Sequence, residues 1–541
     1  MQPESLLPAR DLGCLNRCAV LLVPAALALA ACTSMPGRDQ PRPPPSAPTH
    51  EANPALVTPF AAAARAHPGL SGFRLYSPGI DGLLLRLELI AQAQRSLDLQ
   101  YYIFRGDESG RLVTEALLAA ARRGVRVRIL VDDGETVAGD EQLFALAGDP
   151  HVAIRVFNPW RYRGHSSTLR GTEYLFSHSR LDYRMHDKLF IADEAVALIG
   201  GRNIGEQYFQ VDPGSQYADD DIFVTGPETA ELGVAFQTFW DSEEAVPVEL
   251  LVPARQRDAA AAEALAQRHT TPQKAAAAGS NFTTKLAAGE PLAQLLTGAA
   301  PLSWARAELA YDPPDKRKDG ASARAGSLMF APVAQAIRDA HTQLLVVTPY
   351  LIPTSSELKL LQEAVGTQGL KVRILTTSLE ASMDPLAQAG YDHYRVPLLT
   401  DGVELFELRR QPDSPRGTGQ STQMTRYGNF GLHAKLLVFD DGAIYVGSMN
   451  FDARSHRLNT EIGLIIHSPE LAAETTRRFE AMTQPANAYH VTLEERQGKQ
   501  TLIWSTVKDG EAVQYTREPA RSGWERFEVG AASMLPIDEE L

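Results

Sequence analysis

The sequence is poor in cysteine, carries no excess of positive charge, and has no apolar run long enough to cross a bilayer. Its only cysteines are Cys14, Cys18 and Cys32. The rest of the chain has no disulfide framework, so its stability has to come from core burial. The formal net charge of −14 argues against a general nucleic-acid binder, which needs a basic footprint, and no nucleic acid is expected as a partner. The most apolar stretch, Cys18 to Ala31, is 14 residues long and is interrupted by Pro24; a spanning helix needs roughly 20. No spare cluster of His, Cys, Asp and Glu has metal-ligand spacing, so neither a metal nor another cofactor is expected.

What is present begins with a processing segment. Arg10 and Arg17 precede the apolar run, which ends Leu29-Ala30-Ala31-Cys32. This resembles the lipobox of bacterial lipoproteins, in which cleavage leaves the cysteine first and acylated. The resemblance implies a signal peptide over 1–31 and lipidation of Cys32. Thr33 stands where an inner-membrane-retention aspartate would be, which leaves the leaflet open. Residues 33–58, with Pro41, Pro43, Pro44 and Pro45, read as an extended tether.

At 541 residues, with 44% hydrophobic and 22% charged positions, two domains are the natural expectation. Residues 80–94 have helical period, and Ser96 to Phe104 reads as a strand. A helix capped by Ser109 runs to about Arg123, and Val125 to Val131 is a second strand. Strand–helix–strand at this spacing is a βαβ unit. The order returns at Gln343 to Thr348, Leu358 to Val365 and Lys371 to Leu375. The intervening stretch reads as a connector with alanine-rich helix. After about 486, Thr501 to Val507 and Ala512 to Tyr515 form a hairpin on Asp509-Gly510. Trp524, Phe527, Ala531, Met534 and Leu535 then recur at roughly helical spacing, which suits docking on the second domain or, less simply, a membrane surface.

The repeat has a sharper core. His186-Asp187-Lys188 is followed by four apolar residues, Asp193, and then Gly200-Gly201 and Asn203. His433-Ala434-Lys435 is followed by four apolar residues, Asp440, and then Gly447-Ser448 and Asn450. The two histidines are 433 minus 186, or 247, positions apart, and the Lys, Asp and Asn keep that offset. In each copy a strand, a turn and a return strand bring imidazole, ammonium and amide to one end. An imidazole attacks or moves protons at neutral pH, and Lys and Asn donate to anionic oxygens, which suits a phosphate ester. A covalent route through a phosphodiester wants two such imidazoles, one to attack and one to protonate the departing oxygen.

Paired HxKxxxxD motifs with a trailing Gly-x-x-Asn resemble the phospholipase D superfamily, over roughly residues 70–485. The resemblance implies an α/β fold. It would consist of two tandem phospholipase D-like domains, each a mixed β-sheet flanked by helices, related by a pseudo-twofold with one shared active site. The expected organisation is signal peptide 1–31, lipid-anchored Pro-rich tether 32–65, first domain 66–248, connector 249–325, second domain 326–485 and C-terminal tail 486–541. The catalytic set it implies is His186, Lys188, Asp193, His433, Lys435 and Asp440. Asp193 and Asp440, at the strand turn, are expected to tie the turn and not to touch substrate. Asn203, Asn450 and Ser448 are expected at the phosphate, and Gly201 has no hydroxyl to match Ser448. Asp219 and Glu461 each lie eight residues before a proline, Pro227 and Pro469, and precede an apolar strand. They are expected to orient the histidines, each within its own half, with Asp220 and Asp221 competing with Asp219 for that role. Arg161, Arg163, Arg170, Arg180 and Arg184 before the first motif, and Arg409, Arg410, Arg416 and Arg426 before the second, are expected to focus anionic headgroups, Arg184 above all.

Arg180-Leu-Asp-Tyr-Arg-Met-His186, Asn450-Phe-Asp-Ala-Arg-Ser455 and Asn459-Thr-Glu461 resemble bacterial cardiolipin synthases, and Leu302-Ser-Trp-Ala305 with Asp312-Pro-Pro-Asp-Lys316 and the tail Leu535-Pro536-Ile537 are similar to the C type. That implies a phosphatidyltransferase working through a phosphatidyl-histidine, with phospholipid substrates: phosphatidylethanolamine as donor and phosphatidylglycerol as acceptor. It also implies a place in the bacterial cell envelope, anchored on the periplasmic side through lipidated Cys32. A phospholipase D-type hydrolase releasing phosphatidic acid shares every motif residue. A lipid-binding protein on a dead scaffold would have lost a motif His or Lys. The sequence names no helper protein.

Overall fold

The computed structural model describes residues 54–134, 146–163, 166–211, 215–252, 291–316, 328–382, 384–410 and 429–534. Cys32, the signal peptide, most of the tether, the alanine-rich connector helices, Arg416, Arg426 and Leu535-Pro536-Ile537 lie outside the described residues.

The first half contains strands β1 (Ser71–Tyr76), β2 (Ser96–Tyr101), β3 (Arg126–Asp132), β4 (Val152–Phe157), β5 (Lys188–Ala192), β6 (Val196–Gly200), β7 (Ser215–Ala218), β8 (Asp221–Thr225) and β9 (Ala245–Pro247). Strands β2, β3 and β4 are parallel, and β5, β6, β8 and β1 continue the sheet antiparallel. The crossover helix Glu108–Arg122 is capped by Asp107, whose carboxylate accepts from Gly110 N; Ser109, the expected cap, is buried inside the first turn. An aspartate two positions upstream satisfies the free N–H groups equally well. Gly124 supplies the left-handed φ of +92° that ends the turn after the helix.

The second half contains β10 (Ser303–Tyr311), β11 (Gln343–Val347), β12 (Leu351–Ile352), β13 (Lys371–Thr377), β14 (Glu404–Leu408), β15 (Asn429–Leu432), β16 (Leu436–Phe439), β17 (Ala443–Gly447), β18 (Phe451–Asp452), β19 (Ile462–His467), β20 (Ala488–Arg496), β21 (Lys499–Lys508) and β22 (Glu511–Tyr515). The neighbour order β14-β13-β11-β16-β17-β19-β10 repeats β4-β3-β2-β5-β6-β8-β1. The two sheets meet where β1 pairs antiparallel with β10, Gly72 opposite Trp304. Equivalent strands paired antiparallel are what a twofold produces. At Gly72 a Cβ would come within 2.8 Å of the Leu302 side chain, which would have to shift to admit it.

Strand β10 lies in the stretch read as connector. Its Ala305, Ala307 and Ala310 give weak strand signal, and pairing on both edges overrides that propensity. The seam is backed by helices Pro227–Trp240 and Pro469–Met482, whose Phe236, Phe239, Trp240, Leu471 and Phe479 belong to one buried cluster with residues of both sheets.

Two further stretches depart from expectation. The tether ends earlier than residue 65, because Pro54–Ala66 is a helix that buries Leu56 and Phe60 against the first domain. Proline suits a helix's first turn, and the alanine run carries the helix onward. The tail adds β20 antiparallel to β14, then the β21–β22 hairpin on Asp509-Gly510, with φ of +52° and +84°. Helix Gly523–Ala532 docks through Val529 onto Leu379 and Ala389, and Trp524 and Phe527 face outward. Among the described residues, no helix is long and apolar enough to cross a membrane.

Candidate active site

Each motif histidine stands on an extended segment just before a central strand, with its lysine two residues on and on the same side. These segments are pinned across the domain boundary. Met185 bridges Thr460 in parallel, and β15 pairs parallel with β7, Leu432 opposite Ala218. His186 N donates to Thr460 O at 3.0 Å, and His433 N to Ala218 O at 2.8 Å. The residue after each bridging partner is therefore delivered to the histidine of the other half.

That register corrects the expected pairing. His186 Nδ1 lies 2.9 and 3.0 Å from the two Glu461 oxygens, and His433 Nδ1 lies 2.6 Å from Asp219 Oδ2. Asp219 and Glu461 do contact the histidines, but crosswise, each serving the imidazole of the opposite domain. Both carboxylates are fully buried. As acceptors they place the imidazole proton on Nδ1, which leaves Nε2 free for chemistry.

The electrostatics follow from burial. Burial and the nearby Lys188 and Lys435 ammoniums push His186 well below the ordinary imidazole range. Burial and Lys435 push His433 down to about 3, although Asp219 works to raise it. Burial brings Lys188 down to about 7 and Lys435 to about 8, against the pull of Glu461 and Asp219. Glu461 is pushed up to about 7 by burial, opposed by Lys188 and by hydroxyls of Ser448 and Ser455. Burial would raise Asp219 too, but His433, Lys435 and Arg202 outweigh it and hold it below the usual range. Two buried ammoniums balanced by two carboxylates are poised for an arriving monoanion, whose charge would raise the pKa of each cation and imidazole.

Each lysine Nζ donates to its own motif's histidine carbonyl, Lys435 at 2.5 Å. Asn203 accepts from Ile103 N at 3.0 Å through Oδ1, and its buried Nδ2 has no hydrogen-bond partner. Asn450 likewise keeps one buried amide atom unpaired. The unpaired Nδ2 of Asn203 is a donor suited to a phosphate oxygen, whereas the unpaired atom of Asn450 is its carbonyl Oδ1, an acceptor.

Ser448, expected at the phosphate, instead donates to Glu461 Oε2 at 2.5 Å and accepts from Ile462 N at 3.0 Å. Ser455 donates to the other oxygen at 2.8 Å. In the first half a Cβ at Gly201 would collide with the Asp219 carboxylate. The longer glutamate is therefore matched with serine, and the shorter aspartate with glycine, because the Asp carboxylate occupies the space of a side chain at 201.

Asp193 and Asp440, counted with the catalytic set, lie at the far end of their strands. Five residues beyond Lys188 is about 16 Å along a strand. Asp193 accepts from the backbone N–H of Gln94, Arg95 and Ser96, and Asp440 from those of His341, Thr342 and Gln343. Both carry positive φ, +54° and +52°. They tie the turn to the start of β2 and β11, as their position implied.

The flanking arginines divide. Arg184 is buried against Asp132, and Arg409 donates to the carbonyls of Ala486 and Val507, so neither is a free surface cation. The sequence reading missed the aromatic wall. Tyr102 lies 5.1 Å from the His186 ring, and Tyr208 and Tyr217 lie 5.0 and 5.4 Å from that of His433. Tyr102 follows directly after β2, at the carboxyl edge of a parallel strand where α/β ligands gather, and that position was its available signal.

Two stretches of the chain, residues 87–240 and 333–483, match the family model described as cardiolipin synthase, PLD-like domain. The chain is 34% identical over 477 residues to cardiolipin synthase C of Escherichia coli K12, covering 87% of this chain and 96% of that protein. It is 25% identical over 402 residues to the major cardiolipin synthase of Bacillus subtilis 168, covering 74% of this chain and 66% of that one. Among solved structures, phosphatidylserine synthase of Haemophilus influenzae Rd KW20 aligns over 79% of this chain and 91% of its own, with 14% identity and a TM-score of 0.48.

Proposed function

The chain belongs to the cardiolipin synthase family of phospholipase D-like enzymes, and we propose that it joins two phospholipids into cardiolipin through a phosphatidyl-histidine. It is an enzyme of the phosphatidyltransferase and phospholipase D type; the donor, acceptor and covalent intermediate are the further reading. The observation that carries the synthase reading is similarity to cardiolipin synthase C across 96% of that relative's length.

In this reading His186 Nε2 attacks the phosphorus of phosphatidylethanolamine. The bond to the ethanolamine oxygen breaks, and His433 gives that oxygen its proton. His433 then takes the proton from a glycerol hydroxyl of phosphatidylglycerol. That oxygen attacks phosphorus and the P–N bond breaks, which frees His186. Lys188, Lys435, Asn203 and Asn450 hold the phosphoryl oxygens. The unequal carboxylates support this assignment of roles. Asp219, held low, favours the imidazolium that His433 must become, whereas Glu461, raised to about 7, leaves His186 the neutral nucleophile. The substrate's own negative charge promotes protonation of His433 once bound.

The N-terminal Leu29-Ala30-Ala31-Cys32 supports a periplasmic, lipid-anchored location, tested by palmitate labelling that Cys32→Ser abolishes.

The function is tested by expressing wild type and His186→Ala in a host stripped of its cardiolipin synthases. Cardiolipin from the wild type alone is the expected result. Phosphatidic acid without cardiolipin would favour hydrolysis.

A further inference from the structure

The catalytic residues account for one phosphate, yet the proposed reaction brings two phospholipids together. A second group of donors, which the catalytic residues do not use, is linked to the His186 segment through Arg184. Arg170, on the helix Ser167–Leu181, holds its guanidinium 5.6 Å from the ring of Trp160. Among the described residues, its Nε and Nη2 are buried with no hydrogen-bond partner, and so is the Trp160 indole N–H. Arg184 lies 5.9 Å from the same ring. It sits two residues before His186 on extended chain, so the two side chains share a face about 7 Å apart along the backbone.

The carboxylates around this group have other partners. Glu173 accepts from Arg161 N, Tyr162 N and Arg180. Asp133 takes Trp160 N and Arg163 on Oδ2, its facing cations are Arg163 and Arg184, and its Oδ1 is buried without a hydrogen-bond partner among the described residues. Asp132 accepts from Gly134 N and Met185 N and pairs with Arg184. Among the described residues, Arg170 has no carboxylate partner. Buried N–H donors without acceptors are costly, and a cationic one most of all, so the arrangement makes sense if an oxyanion fills it in the working state. The group stands past the carboxyl ends of β3 and β4, the edge at which ligands of open α/β sheets bind. The same helix exposes Leu169, Leu175 and Phe176 to half or more of their area, apolar ground suited to the acyl portion of a lipid.

We propose that Arg170, Trp160 and Arg184 form a second phosphate subsite, which holds the phosphodiester of the acceptor phospholipid while its glycerol hydroxyl reaches the phosphorus on His186. This inference rests on the synthase reading; a hydrolase, whose acceptor is water, has no use for the subsite.

The test compares two acceptors with one donor in mixed micelles, using the full chain. Phosphatidylglycerol carries the second phosphate and free glycerol does not. Arg170→Ala is expected to lower transfer to phosphatidylglycerol about tenfold or more relative to transfer to glycerol, the size of one lost charge-assisted contact. Trp160→Phe, which removes only the indole N–H, is expected to shift the ratio in the same direction by less. Equal losses with both acceptors, or an unmoved ratio, would overturn the subsite. If the wild type transfers to neither acceptor, the synthase reading fails, and the subsite is read by binding instead. Glycerophosphoglycerol should then bind His186→Ala protein at least about tenfold more tightly than the Arg170→Ala double variant. Equal binding overturns the subsite. Loss of inorganic phosphate binding, with glycerophosphoglycerol binding and acceptor choice unmoved, overturns the acceptor assignment.

Discussion

Ser448→Ala separates a serine that steers Glu461 from one that touches phosphate. The hydroxyl donates to Glu461 Oε2 at 2.5 Å, while Ser455 holds Oε1 at 2.8 Å. Both bonds favour the ionised carboxylate, which burial pushes up to about 7. Deleting one hydrogen bond to a charged acceptor removes about 1.5–3 kcal/mol. One pKa unit corresponds to about 1.4 kcal/mol, so Glu461 should rise by roughly 1–2 units. At pH 7 the ionised fraction falls from about one half to about one part in ten to one in a hundred, and kcat/KM with it, about fivefold to fiftyfold. A carboxyl whose pKa rises is protonated over a wider range, so the acid limb of the profile moves to higher pH and the deficit shrinks as pH rises. The measurement is kcat/KM for headgroup release between pH 5 and 9. Ile462 N also loses its acceptor, and a melting curve reads that separately. A profile superimposable on the wild type, or a deficit independent of pH with raised KM for lipid, would refute the reasoning; the second result would return Ser448 to the phosphate.

With a p-nitrophenyl phosphodiester donor, whose leaving group needs no proton, His433→Ala should accumulate the phosphoryl group on the peptide containing His186, visible by mass spectrometry after an alkaline denaturing quench that spares the P–N bond, and His186→Ala should show none; the reverse pattern would exchange the two roles. Asp193→Ala and Asp440→Ala, each stripping acceptors from three backbone N–H groups, should cost about 1–3 kcal/mol in thermal or denaturant unfolding with kcat within about threefold of wild type. A loss of a hundredfold in kcat without loss of stability would place them in the site. Gly201→Ser should displace the Asp219 carboxylate and lower activity about a hundredfold or more, and Gly201→Ser with Asp219→Glu, which rebuilds the second-half arrangement, should recover part of it. Wild-type activity in the single variant would contradict the packing argument.

Much of the fold is legible because the repeat is. Val127-Arg128-Ile129-Leu130 and Val372-Arg373-Ile374-Leu375 announce equivalent parallel strands, and Asp509-Gly510 announces the hairpin that forms there. Strand β10 is not legible, since Ala305, Ala307 and Ala310 weaken its strand signal and it is held by the two edges it joins. The helix at Pro54–Ala66 is hidden for a related reason: its prolines and alanines resemble tether, and what fixes it is burial of Leu56 and Phe60. Tertiary contact overrides local propensity in both places.

The candidate site shows the same division at finer scale. Spacing identified both histidines, both lysines and both carboxylates, because each is a repeat-equivalent position. It could not reveal which carboxylate serves which histidine, because that depends on the cross-domain bridges Met185–Thr460 and Leu432–Ala218, and pairing between halves leaves no periodic trace in either. The crossing has a consequence for how the halves differ. A carboxylate acting within its own half could change without touching the other domain's chemistry. Here Glu461 sets His186 and Asp219 sets His433, so the Glu–Ser and Asp–Gly combinations tune imidazoles in opposite domains. Both histidines are buried to similar degree, and burial lowers both, so burial alone gives neither a distinct role. The asymmetry that a nucleophile and a proton carrier require comes from two carboxylates of unequal length held in unequal hydrogen-bond shells, and each domain contributes the shell that its partner's histidine uses.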